Sequence, residues 1–336
     1  MAHNLLLQDL ANCLAPAQVI TDADVCQTYT TDWSGEVGEL PIAVLRPKNT
    51  EEVSQILALC NRHRCAVVPQ GGKTGLAGGA TVRGQAVVLS LEHMQGVIEL
   101  DTESATLTAW AGTPLESLQQ SAADAGFLLA LDLGARGSCQ IGGNVATNAG
   151  GNRVIRYGMT RDLVLGLEVV QADGTVLSML NKMAKNNAAF DLKHLFIGSE
   201  GTLGVITKVV LKLHPQVTGA NTALMALPNF EAVTQLLRYS QQQLSGLVSA
   251  FEVMWQGYYK AATTVGGQAA PLSADYPIYV LMDLQSANPQ NTEAQFEAVL
   301  EHAFHAGWVL DAAIAQSQAD INDFWALRDA VSELLP

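Results

Sequence analysis

The chain has 336 residues, 49% of them hydrophobic, with 18 Lys and Arg against 32 Asp and Glu, a formal charge of −14. That length buries a large core and favours two or more domains, and the negative balance argues against a nucleic-acid or anionic-membrane surface. Five cysteines (Cys13, Cys26, Cys60, Cys65 and Cys139) form an odd set without a C-x-x-C pair, which suits buried thiols in a reduced, cytoplasmic chain better than a disulfide framework.

The first residues, MAHNLLLQDLANCL, lack the basic start and apolar run of a signal peptide. No stretch of about 20 apolar residues offers a transmembrane helix. The histidines are scattered apart from His302 and His305, so the sequence supplies no metal-ligand cluster.

In chain order, Pro41 to Leu45 reads as a strand. Asn49 to Glu52 forms a capping box, and Val53, Ile56, Leu57 and Cys60 mark one helical face behind it. Ala66 to Val68 returns as a strand directly into PQGGKTGLAGG at 69–79, a loop at the carboxyl end of a strand, where α/β sheets bind ligands. The Gly-Lys-Thr there does not make an NTPase loop. That motif needs a Gly where Val67 stands, and a helix starting at the lysine would be broken by Gly75, Gly78 and Gly79. Exposed amides and positive φ still suit close approach to a diphosphate; an ordinary glycine-rich surface loop is the alternative.

Strands follow at 86–91, 96–100 and 106–110, then a helix opening at Pro114 and stopping at Gly126. The segment 129–158, LALDLGARGSCQIGGNVATNAGGNRVIRYG, has neither helical nor strand periodicity. A loop of that length and low charge is expected to line a ligand rather than to be disordered. Strands resume at 163–171 and 175–179 around an Asp173-Gly174 turn. A second glycine turn, IGSEGTLG, leads into the strand 205–213. Beyond Pro215 the order is strand 223–227, helix 230–243, strands 250–254 and 278–284, helix 292–305, strand 309–314, and a last helix from Ala319. Strands alternating with helices in this way predict a separate α+β layer domain.

Four segments together carry a resemblance: PQGGKTGLAGG at 69–79, LDLGARGSCQIGGNVATNAGG at 131–151, LFIGSEGTLGVIT at 195–207 and FWALRDAV at 324–331. The chain resembles the FAD-linked D-2-hydroxy-acid dehydrogenases of the vanillyl-alcohol-oxidase-like flavoproteins. The resemblance implies an α+β chain: an N-terminal helical segment at 1–36, a two-subdomain PCMH-type FAD-binding domain at 37–216, and a substrate or cap domain at 217–336. It also implies FAD wrapped at its pyrophosphate by Gln70, Gly71, Gly72, Lys73, Thr74 and Gly75, with Lys73 either adding charge to the diphosphate or pointing into solvent. Leu133, Gly137, Ser138, Gly142, Gly143, Thr147, Asn148 and Gly151 would run along the ribityl chain and ring. Glu200, Gly201, Gly204 and Ile206 would close over the adenosine half. Neither flavin loop contains a His, so the FAD is expected to be noncovalent.

Arg328 falls where the family has a carboxylate-binding arginine, and Ser332 lies one turn on; a solvated helix charge is the alternative for Arg328. Relatives of this family continue into a histidine-rich segment that binds a divalent metal and supplies the catalytic base, and this sequence contains none. A truncated chain with no base of its own is therefore expected, with metal only if that segment is present. The implied reaction is oxidation of a small 2-hydroxy acid, D-2-hydroxyglutarate foremost, with electrons leaving to an acceptor protein or quinone, and a homodimer is one assembly open to the chain. D-lactate or glycolate as substrate, and a non-catalytic FAD-binding subunit, remain the alternatives.

Overall fold

The computed structural model describes residues 2–334. It divides into two compact units. One is built from the chain up to Ala149 together with Met159–Pro215; the other comprises Gly150–Gly158 and the chain from Gln216 on.

The first unit holds two main sheets. One runs Val19–Ile20, Val44–Leu45, Ala86–Ser90, Ala66–Gln70, with the last three strands parallel. Parallel strands need a crossover, and the helix Thr50–Arg62 supplies the one from Val44–Leu45 to Ala66–Gln70, which flank Ala86–Ser90. Its start is capped by Asn49, whose Oδ1 accepts from Glu52 N at 2.8 Å; the reciprocal half of the expected capping box is missing, because Glu52 Oε2 accepts from Lys48 N rather than from the cap residue. Its end is a Schellman turn, with Cys65 N on Cys60 O at 2.9 Å and Arg64 in the left-handed region at φ 52°.

The other sheet is a five-stranded antiparallel array, Val97–Asp101, Thr106–Trp110, Val205–Lys212, Val164–Val170, Val176–Met179. Glu168 ties it to the crossover helix. This buried carboxylate accepts from Thr50 Oγ1 at 2.5 Å and Thr207 Oγ1 at 2.9 Å, and pairs with Lys208 Nζ at 3.1 Å. Every lone-pair direction of a buried charge needs such partners. Pro114 caps the helix Leu115–Asp124 rather than opening its first turn.

In the second unit an antiparallel sheet, Val248–Trp255, Ile278–Ser286, Gly219–Leu227, Asp311–Ile314, is covered on both faces. The period-two alternation of a strand sends Ala223, Met225 and Leu227 toward the helices Phe230–Gln243 and Pro289–His305. Leu224 and Ala226 face Gln256–Thr264 and Gln318–Asp329 instead. The helix Gln256–Thr264 has no counterpart in the sequence reading. It is held by Tyr259, whose ring stacks on Tyr279 at 3.8 Å, a contact between distant residues that periodicity does not carry.

Candidate cofactor site

Three segments of the first unit converge. Gln70 ends its strand with a buried side chain whose Nε2 donates to Tyr29 O at 2.8 Å and Ala80 O at 2.6 Å, clamping the glycine loop at both ends. Its Oε1 is buried without a partner. A Cβ on Gly71 would lie 3.4 Å from Gln140 Oε1. One on Gly72 would be driven into the Ser138 carbonyl and stand 3.0 Å from Cys139 Cα. The first loop thus lies directly on the second. Among the described residues, no backbone amide from Gly72 through Gly79 donates a hydrogen bond to the rest of the chain. Thr74 is half-buried and Gly75 exposed, the latter beside the Asp32 carboxylate.

Lys73 is engaged within the protein rather than pointing freely into solvent. Its Nζ donates to Thr28 O at 2.6 Å and stands 4.6 Å from the centre of the Tyr29 ring. It is also the non-glycine loop residue in the left-handed region, at φ 55°.

The second segment is not the featureless loop its composition suggested. It contains the short helices Ile141–Ala146 and Val154–Tyr157. Gly142 packs on Ala111, where a Cβ would meet the Ala111 Cβ at 2.7 Å. Gly143, by contrast, has nothing within 4 Å of the space a Cβ would take. Thr147 Oγ1 folds back on Gly143 O at 3.0 Å, and Asn148, at φ 47°, accepts from Arg161 N at 3.0 Å. Leu133 O accepts from Arg136 at 3.1 Å, and Gly137 and Ser138 form the exposed turn before Cys139. Gly151 belongs to the other unit.

Sequence reasoning missed two neighbours of these residues. Gln140 and Asn144 are both buried, and Gln140 Oε1 and Asn144 Oδ1 have no hydrogen-bond partner. A polar side chain in a run of small residues is the only sequence signal they give.

The third segment joins the second through Gly198 N on Val145 O at 3.1 Å and Glu200 N on Ala146 O at 2.9 Å. Gly201, at φ 78°, sits against the Pro69 ring, and Glu200 Oε2 reaches Gly79. Gly204 packs against Val169 and Val170, and Ile206 is a buried strand residue opposite Val169. Pro69, Gly201 and Val205 line one cavity of about 260 Å³ together with Cys60, Cys65 and Val67. Burial pushes the Cys60 thiol up to about 12, so it is a neutral lining group.

In the second unit Arg328 ends the helix Gln318–Asp329 and donates through Nε to Glu252 Oε2 at 2.8 Å. It is therefore not a solvated charge. The side chain of Ser332 lies outside those described.

These residues fit FAD. Free loop amides at the end of a parallel strand suit a diphosphate. The partnerless oxygens of Gln70, Gln140 and Asn144 suit hydroxyl or imide donors, since a buried acceptor left unmade costs about 1–3 kcal/mol. The bare face at Gly143 leaves room for a ring or chain.

Comparison with known proteins agrees. Residues 41–179 match the FAD binding domain family, and 218–335 match the C-terminal domain of FAD linked oxidases. The chain is 42% identical over 333 residues to "D-2-hydroxyglutarate dehydrogenase, mitochondrial" of Rattus norvegicus, covering 98% of this chain and 62% of that one. It is 35% identical over 335 residues to D-2-hydroxyglutarate dehydrogenase of Stutzerimonas stutzeri (strain A1501), covering 100% and 72%. Its fold is similar to that of alkyldihydroxyacetonephosphate synthase, with a TM-score of 0.77 at 18% identity over 98% of this chain and 63% of that one.

The expected cytoplasmic location is overturned, because the rat relative and other animal and plant relatives are mitochondrial. Reduced thiols do not separate two reducing compartments, so the cysteine argument had no power to decide it. Among the described residues no helix is long and apolar enough to cross a membrane. The fold is the PCMH-type fold the sequence predicted, and the matched FAD binding domain supports noncovalent FAD. With both domain families matched and a relative covered over 72% of its length, the chain belongs to the FAD-linked D-2-hydroxyglutarate dehydrogenase family.

Proposed function

We propose that the whole protein oxidises a D-2-hydroxy acid, D-2-hydroxyglutarate foremost, to the 2-oxo acid and passes the electrons to an acceptor protein or a quinone. The observation that carries this reading is the identity to D-2-hydroxyglutarate dehydrogenases over nearly the whole chain. FAD, when bound, supplies the acceptor for the hydride of the substrate α-carbon, and the protein supplies orientation and electrostatics. The amides of Gly72 to Gly79 would hold the diphosphate. Gln70, Gln140 and Asn144 would accept from the cofactor's donors, and Gly143 would give way to it. Arg328, whose planar fork matches a carboxylate, would grip the substrate, with Ser332 one turn on. No side chain of this chain is assigned as the base that takes the hydroxyl proton.

The test presents the FAD-loaded protein with D-2-hydroxyglutarate, its L-enantiomer, D-lactate and glycolate, following binding by calorimetry and flavin bleaching under anaerobic conditions. Preference for D-2-hydroxyglutarate supports the reading; preference for D-lactate or glycolate moves the substrate to that acid. Rapid bleaching by this chain alone would place the base within it.

A further inference from the structure

Among the described residues, Arg328 is held at two of its three nitrogens. Nε donates to Glu252 Oε2 at 2.8 Å and Nη1 to Asp329 Oδ1 at 3.3 Å. A carboxylate grips a guanidinium through two adjacent donors, either Nε with Nη2 from the side or Nη1 with Nη2 from the end. Glu252 takes the single Nε hydrogen and so closes the side-on edge, while Asp329 competes for the end-on edge at Nη1, which carries two hydrogens.

The contacts are unequal. Glu252 rises from the strand Val248–Trp255, paired in register with Leu281, and its side chain is 24% exposed. Asp329 is the neighbouring residue in the last turn of the helix that carries Arg328. Its contact is at the long limit of a hydrogen bond, and its side chain is 41% exposed. A shorter, better-buried charge-assisted bond from a sheet outlasts a long one at a helix end. The backbone of Arg328 is fixed as well, since Tyr258 Oη donates to the Leu327 and Arg328 carbonyls at 2.9 and 2.8 Å.

We propose that Glu252 is a positioning residue. It holds Arg328 through Nε so that the end-on edge, Nη1 and Nη2, is presented to a substrate carboxylate, with Asp329 as the group that gives way. This rests on the reading of Arg328 as the carboxylate grip. Fixing the guanidinium beforehand removes the rotamer entropy that binding would otherwise lose. A glutamate 76 positions away in sequence, itself out of contact with the ligand, therefore sets the affinity of the arginine that grips it.

The experiment is calorimetric titration of D-2-hydroxyglutarate into the FAD-loaded chain and its Glu252→Ala, Glu252→Gln, Asp329→Asn and Arg328→Ala variants, with FAD content and unfolding midpoint measured for each. Glu252→Ala is expected to bind about tenfold more weakly, the loss of one charge-assisted hydrogen bond. Glu252→Gln, whose amide oxygen still accepts from Nε, should recover to within about threefold of the parent. Asp329→Asn should bind at least as tightly as the parent. Tighter binding by Glu252→Ala would make Glu252 a competitor for the arginine, and unchanged binding would make it a bystander; either overturns the proposal. A parent chain that does not bind, or binding indifferent to Arg328→Ala, defeats the reading of Arg328 itself and the proposal with it. A failure confined to Glu252 is thereby told apart from failure of the function.

Discussion

Gly72 and Ser138 cross so closely that no side chain fits between them: a Cβ on Gly72 would overlap the Ser138 carbonyl and stand 2.9 Å from its carbon. The obstacle is backbone, so it cannot rotate away. Gly72→Ala should separate the two glycine segments, lowering stability by about 1–3 kcal/mol in the manner of overpacking and abolishing FAD retention on gel filtration. Gly143→Ala is the counterpart, because the space beside it is open. Its apo form should be as stable as the parent or gain about 0.5–1 kcal/mol from helix propensity, while FAD affinity falls. Undiminished FAD affinity in Gly143→Ala would mean that the cofactor does not use that face.

Lys73→Ala should leave FAD affinity within about threefold of the parent and its salt dependence unchanged, because the ammonium is already engaged by Thr28 O and the Tyr29 ring. The loss should appear in stability, at about 0.5–1 kcal/mol for the cation–π contact. Lys73→Gly should recover part or all of that, since φ 55° strains any residue with a Cβ by roughly 1–2 kcal/mol, offset by about 0.5–1 kcal/mol of glycine's extra conformational entropy. Fluorescence titration of FAD at two salt concentrations decides the matter. A tenfold loss with a flattened salt response would make Lys73 a ligand of the diphosphate after all.

The difference between what the sequence shows and what it hides follows contact distance. The helix Phe230–Gln243 is legible because its apolar face and its Asn229 cap are local. So is the 171–175 turn, where Gly174 takes φ 90° and Gln171 N meets Thr175 O. The helix Ile141–Ala146 escapes periodicity because it docks by having no side chain at Gly142, where Ala111 presses in. Lys73 finds its partner 45 residues upstream and Arg328 its partner 76 residues upstream. The loop motifs name the cofactor region, but the orphaned oxygens of Gln140 and Asn144 become visible only once burial is known.

Those oxygens set function against stability. Among the described residues no group donates to the buried Gln140 Oε1. Gln140→Met keeps the side-chain length and removes that liability, so the apo protein should gain about 1 kcal/mol or more in urea unfolding. If the same oxygen accepts from a cofactor hydroxyl or imide, FAD affinity should fall about tenfold. Both changes in one variant are the signature of a ligand-directed acceptor. A stability gain with unaltered FAD affinity would show that the cofactor does not use the buried Gln140 oxygen.

Asp283 gives the second unit a pH signature of opposite sign to the usual carboxylate. Burial within the Ile278–Ser286 strand raises its carboxyl above the ordinary value, and the hydroxyls of Thr222 at 2.6 Å and Ser249 at 2.8 Å, with the charges of Arg153 and Arg156, offset this only in part. Because the folded value lies above the unfolded one, near about 3.9, the folded state binds more protons between the two. Its contribution is therefore fully present below the unfolded value, is lost as pH rises through the folded value, and is flat beyond it. Asp283→Asn keeps an acceptor for Thr222 and can donate to the Ser249 hydroxyl, so it should fold and lack that slope. Urea unfolding across the acid range, read as the parent's stability minus the variant's, should show a difference that declines with rising pH and then levels. A difference that climbs with pH would mean that the hydroxyls and arginines outweigh burial and hold the carboxylate ionised.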